Sequence, residues 1–377
     1  MRASTIIPIA LSTCLLACGG DDAAEGQGEG SETQGEGSET QGEGGSSDSD
    51  SEGESGPLPT TGGEEDPGPS GIFIAVGDGG RRASSSDALG WEEIIGSGVI
   101  DTRAEMGEED ILRAVAVGEG VAIAVGGGGV DWTGNAMIMR TSNGVDWEED
   151  LAAGVEGVDI RKLSAITYSE GVFVAGGTQA HLIRSEDGGS SWTRATTDNP
   201  GSTTVFGLAG HGGTFVAVGL HKDAYDAPEV AYVQRSTDAG LSFGAPEYFG
   251  EDGDWLGSIA SNGERFVAVG PKVCLRSSDG ASWEDCGVTA SDFDAISFTN
   301  GVFVLTYLDG LRTSEDGEDW SAHFESPTGV PAKVVYGNGV YAGLRFYDRG
   351  TSEALVEWAF VTHGGFPLRD LAFLPLD

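Results

Sequence analysis

Side chains with chemical reach are few in this sequence, and they are scattered. Five histidines, His181, His211, His221, His323 and His363, share no metal-ligand spacing. No Gly-rich phosphate loop, nucleophile elbow or CxxC pair occurs, so neither a cofactor nor a metal is expected. Three segments set aromatic rings beside carboxylates: Asp131 and Trp132 in 126–136; His221, Lys222, Tyr225 and Asp226 in 220–230; and Phe346, Tyr347 and Asp348 in 345–354. That pairing suits a sugar ring or a basic peptide segment, and it equally describes ordinary surface loops. Two carboxylates drawn from Asp131, Asp226 and Asp348 would also supply the acid and base of a glycoside hydrolase. Arg140, Arg184, Arg235, Arg276 and Arg312 recur at similar intervals. They read either as a guanidinium ring for an anionic ligand or, preferably, as one fold contact to a carboxylate inherited by each repeat, as with Arg276 opposite Glu284.

The elements that would position these groups repeat at a period of about 40 residues. One unit runs through 163–168, a glycine turn, 171–175 and 182–184, and ends in a turn at 185–192. A glycine-led or arginine-led apolar second strand recurs at 71–76, 120–125, 213–218, 265–269, 301–305 and 339–342. Seven second strands imply seven sheets, and their β-branched and aromatic character suits burial on both faces. Four short strands per unit predict an all-β, seven-bladed β-propeller of four-stranded blades over 72–377. The first unit opens directly on its second strand, and the chain ends on 370–373, which resembles a first strand without a successor. The C-terminal strand is therefore expected to close the first blade and remove an exposed edge.

The third turn carries the most specific pattern, Ser-x-Asp-x-Gly-x-x-Trp at 185–192 and a Phe variant at 236–243. Its carboxylate is suited to accept turn N–H groups, its glycine to supply positive φ, and its aromatic ring to pack between sheets. On this pattern the chain resembles the BNR or Asp-box repeat proteins, propellers that include sialidases, sortilin-type receptors, xyloglucan-cleaving hydrolases and a photosystem II assembly factor. The resemblance implies that Asp187, Trp192, Asp238, Phe243, Asp279, Trp283 and Trp320 are fold elements. Departures are visible. The copies at 141–147 and 277–283 are one residue short, and the copy at 313–320 carries Glu315 at the acidic position. The copy around Asp87 and Trp91 lacks its glycine, and the seventh is traced only faintly at 361–366. A sialidase is disfavoured, because that family's Arg-Ile-Pro motif is absent. In a hairpin where Ser277 faces Trp283, Cys274 faces Cys286, close enough for a disulfide in an exported protein.

Export is read from the N-terminus. Residues 1–17 combine Arg2, an apolar run and Leu-Leu-Ala before Cys18, which resembles the lipobox of bacterial lipoproteins and implies lipidation of Cys18. Gly19 in place of a retention aspartate favours the outer membrane or cell surface. Residues 18–71 form an acidic Gly/Ser/Glu-rich tether, with fifteen acids and no base from 21 to 71 and no apolar face to fold it. The whole chain of 377 residues has 61 acidic and 20 basic side chains, net −41. That excludes nucleic acid as an electrostatically favoured partner and leaves the membrane to the lipid anchor. The expected function is a monomeric, noncatalytic propeller binding an unknown protein or glycan through its long-loop face. A glycoside hydrolase and an envelope assembly factor are the alternatives, and acidity favours cationic partners.

Overall fold

The computed structural model describes residues 70–94, 111–127, 136–148, 162–198, 202–223, 227–250, 253–288, 293–307, 309–322, 324–325, 329–345, 347–355, 357–363 and 367–376. The export segment, Cys18 and all but the last two residues of the tether lie outside these. So do Asp131, Trp132, Tyr225, Asp226 and Phe346.

Seven antiparallel sheets follow one another, listed here from innermost to outermost strand. Blade 1 is Leu368–Pro375, Gly71–Gly77, Arg82–Ser85 and Glu92–Ile94. Blade 2 is Leu112–Gly118, Val121–Gly127 and Ala136–Thr141, with an Arg140–Glu148 bridge on its outer side among the described residues. Blade 3 is Leu163–Ser169, Val172–Gly177, Leu182–Ser185 and Thr193–Arg194; blade 4 is Ser202–His211, Thr214–Lys222, Val230–Ser236 and Glu247–Phe249. Blade 5 is Ser258–Ser261, Phe266–Gly270, Val273–Ser277 and Glu284–Asp285; blade 6 is Phe293–Thr299, Val302–Tyr307, Gly310–Ser314 and Phe324–Glu325. Blade 7 is Lys333–Gly337, Val340–Arg345, Asp348–Ser352 and Ala359–Thr362. Each innermost strand packs on the next, and that of blade 7 returns to Leu368–Pro375. The molecule is a seven-bladed propeller whose last strand completes its first blade.

The second strands explain the burial. Phe73 and Ala75 point into a core shared with blade 7, whereas Ile74 and Val76 point into one shared with blade 2. All four are fully buried. The period-2 alternation of a strand thus divides its side chains between two neighbours, so both faces must be apolar. The consequence is seven separate cores, one at each blade interface. Closure adds a ladder from Gly71↔Pro375 through Val76↔Asp370, rings of Phe73 and Phe373 with centroids 5.0 Å apart, and a hydrogen bond of 3.0 Å donated by Leu376 N to Ser70 O. A charged seam continues it. Arg81, 1% exposed, donates to Glu93 of its own blade and, over 2.9 Å, to His363 Nδ1 of blade 7. Arg349 of blade 7 lies 2.8 Å from the same Glu93. Burial pushes the Glu93 carboxyl up, and the Arg81 hydrogen bond and charge outweigh it, leaving the pKa lowered.

Candidate functional site

Antiparallel order puts the third turns on one face, the box face, and the second-to-third connections on the other, with the starts of the innermost strands. The box face is built from one turn used seven times. In blade 3, Asp187 accepts the Ser191 amide at 2.9 Å and the Ser185 and Ser191 hydroxyls at 2.8 and 2.6 Å, while Trp192 Nε1 donates to Gly189 O at 3.0 Å. Blade 4 repeats this geometry with Asp238, Ser242 and Ser236.

The spacing shorter by one residue is the more common form. It occurs at Ser85–Trp91, Thr141–Trp147, Ser277–Trp283, Ser314–Trp320 and Ser352–Trp358, with the glycine position directly after the acidic one. Two expectations are corrected. In blade 6 the acidic residue is Asp316, which accepts Ser314 Oγ at 3.0 Å and the amides of Glu318 and Asp319 at 2.8 and 2.9 Å; Glu315 is outside the box. Arg312 therefore stands two residues before its box and faces the other side of the sheet. In blade 7 the turn is at 352–358, because Val361 belongs to the outermost strand. There Ala354 replaces the carboxylate and Leu355 takes the glycine position at φ 67°, yet Trp358 Nε1 still donates to Leu355 O at 3.1 Å. Blade 1 likewise holds Ala88 at φ 61°.

Backbone amides depress the box carboxylates. Those of Gly90 and Leu89 lower Asp87, those of Ser282 and Ala281 lower Asp279, and those of Asp319 and Glu318 push Asp316 down to about 2. At Asp187 and Asp238 burial acts upward first and is outweighed by the serine hydroxyl and amide bonds. Each box aromatic enters the core shared with the preceding blade, and strand arginines reach across the same seam. Arg82 lies 5.8 Å from the ring centroid of Trp147, and Arg349 lies 5.2 Å from that of Trp91. The Cys274–Cys286 disulfide joins two strands of blade 5 with a Cα–Cα distance of 5.5 Å, in the hairpin where Arg276 opposes Glu284.

The long-loop face follows a different rule. In five innermost strands a bulge drops one residue from the ladder, after the first pair in blades 1, 2, 3 and 6 and after four pairs in blade 4: Arg369, Arg113, Ser164, Asp294 and Phe206, respectively. Glycines on the second strands make room for it. A Cβ at Gly126 or Gly177 would overlap the carbonyl oxygen of Ile111 or Lys162. Five copies of one backbone feature thus display five environments around the hub. Arg369 is held by both oxygens of Asp78, at 2.6 and 2.7 Å. Lys333 lies 3.2 Å from Asp370, whose second oxygen accepts Val115 N at 2.9 Å. Arg113 Nε is buried without a hydrogen-bond partner among the described residues, and burial, then the like charge of Arg369, lower its pKa to about 10 against the pull of Asp78. Burial pushes the Asp294 carboxyl up, with Arg345 opposing.

The loop residues singled out in the sequence fall into two groups on non-adjacent blades. In blade 4, His221 is buried; its Nε2 donates to Asp223 Oδ1 at 3.1 Å, so its Nδ1 accepts the Thr203 hydroxyl at 2.8 Å. The ring packs on Tyr248 with centroids 4.8 Å apart. Thr203 is itself 1% exposed, whereas Asp223 at the other end of this chain of bonds is open to solvent. In blade 7, Tyr347 is exposed beside His363, and Asp348 accepts the Thr362 hydroxyl at 2.6 Å. The bulged hub residues went unnoticed in the sequence. The signal that marks four of them is an apolar-x-small triplet, opening the strand at Leu112-Arg-Ala114, Leu163-Ser-Ala165 and Phe293-Asp-Ala295 and lying within it at Val205-Phe-Gly207.

Among the described residues no group of three or more His, Cys, Asp or Glu side chains is placed to hold a metal ion. No protein family matches the sequence, and no curated protein does. Among solved structures the chain is similar to YCF48 bound to D1 peptide, at 16% identity and a TM-score of 0.46, covering 66% of this chain and 80% of that one. It is also similar to YCF48 from Cyanidioschyzon merolae, at 15% identity and a TM-score of 0.46, covering 67% and 87%. At that distance the likeness transfers neither ligand nor site.

Proposed function

We propose that this propeller is a noncatalytic binding module that takes a protein partner on the hub of its long-loop face, engaging an acidic segment of it. The carrying observation is Arg113. Its neighbour Arg369 is held by Asp78, whereas Arg113 feels Asp78 only through its charge and its own buried Nε has no hydrogen-bond partner among the described residues. A partly desolvated guanidinium beside a like charge is costly, and an incoming carboxylate would relieve both terms. The acidity of the folded part predicts cationic partners in general; the hub is a local exception, and its bases would select against non-acidic competitors. Export and a lipid anchor at Cys18, at the outer membrane or cell surface, belong to the same proposal.

Photo-crosslinking in the native envelope tests the reading. Probes at Phe206 and Asp223 on the long-loop face should capture one protein, and Arg113→Glu should abolish that capture while leaving the melting temperature within a few degrees. Equal capture from Leu89 and Leu241 on the box face, or indifference to Arg113→Glu, would overturn it. Cys18→Ser should release the protein from the membrane fraction; if it stays there, the anchor is wrong.

A further inference from the structure

The internal repeats supply their own control for a second site, on the box face and independent of the hub. An arginine directly precedes the box in blades 2 to 5, and its side chain reaches toward the box of the next blade. Arg140 pairs with Glu148 at 3.0 Å, on the strand opposite. Arg184 pairs with Glu186 and donates from Nε to Ala239 O at 2.9 Å. Arg276 lies between two carboxylates, Glu284 of its own blade at 3.4 Å and Glu318 of the next box at 3.6 Å.

Arg235 of blade 4 is the exception. The residue after the box aromatic, Glu148 in blade 2 and Glu284 in blade 5, is here Gly244, whose amide makes the corresponding bond to Arg235 O at 3.0 Å. The residue after the next box glycine, Glu318 beyond Arg276, is here Ala281. Both carboxylates are gone. In their place is a cavity of about 330 Å3 bordered by Arg235, Thr237, Ser242, Gly244, Glu247 and Ala281. Among the described residues Arg235 makes no side-chain hydrogen bond or ion pair, and its Nε is buried. Asp279 is the carboxylate that feels its charge, and Asp279 is already occupied by Ser277, Ala281 and Ser282.

We propose that the cleft between the box turns of blades 4 and 5 binds a small carboxylate, whose oxygens take the place around Arg235 that Glu284 and Glu318 hold around Arg276. A guanidinium fork matches a carboxylate with two parallel N–H donors, and the walls offer Thr237 and the Gly244 Cα as neutral edges. Glu247 is the one carboxylate on the border; it is exposed, and like the acids elsewhere on the module it repels the ligand through screened solvent.

The test is calorimetric titration of the full chain with D-glucuronate, and with inorganic phosphate as the competing oxyanion. Glucuronate should bind, about tenfold or more weaker in Arg235→Gln. Gly244→Glu should abolish binding and raise the melting temperature, because the repeat's own carboxylate then fills the seat; a Cβ at Gly244 meets nothing nearer than Arg235 O at 3.9 Å. Ala281→Glu delivers the same carboxylate from the next blade if Gly244→Glu does not fold. Arg113→Glu should leave this binding unchanged, which separates the cleft from the hub. Absence of glucuronate binding to the native chain, binding that survives both glutamate variants, or phosphate binding as tight as glucuronate would each overturn the assignment.

Discussion

The box face and the long-loop face use repetition in opposite ways. On the box face one turn is copied seven times with nearly the same side chains, and its hydrogen bonds stay within the turn or close a seam with the neighbouring blade. On the long-loop face one backbone bulge recurs in five blades and its side chain is never constant in environment: Arg369 is paired, Arg113 Nε has no hydrogen-bond partner among the described residues, Ser164 bonds Val205 O, and burial pushes the Asp294 carboxyl up. Recurrence of side chains marks what the fold needs from each blade. Recurrence of backbone with divergent side chains marks a frame on which a partner's requirements are written.

The contrast breaks most severely if the frame does not depend on closure. Removing residues 368–377 deletes Leu368, Leu371 and Leu374, all buried, at about 1.5–3 kcal/mol each, and bares the edge of Gly71–Gly77. That is comparable with the whole stability of a domain, so the truncated chain should show no cooperative melt by calorimetry; an unchanged transition would refute a closed ring. Next in size, replacing Cys274 and Cys286 by serine should cost about 3 kcal/mol, read as a lower denaturation midpoint that reductant no longer shifts.

Asp187→Ala removes one amide and two hydroxyl bonds from a turn and should cost about 1–3 kcal/mol without affecting hub binding. Loss of hub binding at unchanged stability would erase the distinction between the faces. The box carboxylates also predict acid sensitivity. Asp316 has its folded pKa lowered from 3.8 to about 2, so its contribution is complete above the unfolded value and disappears as pH falls through the folded one. Melting temperatures of the native chain and Asp316→Asn should therefore differ at pH 5 and converge near the folded pKa; a constant gap would remove the carboxylate from the account. The smallest effect is a gain. Ala354→Asp installs the missing acid in the seventh turn and should add about 0.5–1 kcal/mol.

Much of the frame was legible because it is periodic. The seven second strands, the closing strand and the facing of Cys274 with Cys286 follow from patterns that the backbone enforces in every blade. The seventh turn was not legible, because Ala354 and Leu355 remove the two residue types that define it. What survives there is the Ser352-to-Trp358 spacing and an indole bond to a residue held at positive φ, which only three dimensions display. Thr313 mimicked the opening serine of blade 6 and drew Arg312 into a series to which it does not belong. The hub residues left no side-chain signature, since what they share is a bulge. The separation of the loops that carry His221 and Asp348 was legible as well, whereas the bonds of His221 to Thr203 and Asp223 within blade 4 were not.

The pairing of Leu368–Pro375 with Gly71–Gly77 also fixes an order of events in the life of the molecule. Blades 2 to 7 each draw on one contiguous stretch of chain, whereas blade 1 needs 71–94 and 368–375 together, so the circle closes through the longest-range pairing in the domain and closes last. Until then Gly71–Gly77 offers an unpaired apolar edge, the feature by which an open ring would be prone to aggregation and proteolysis and a closed one protected.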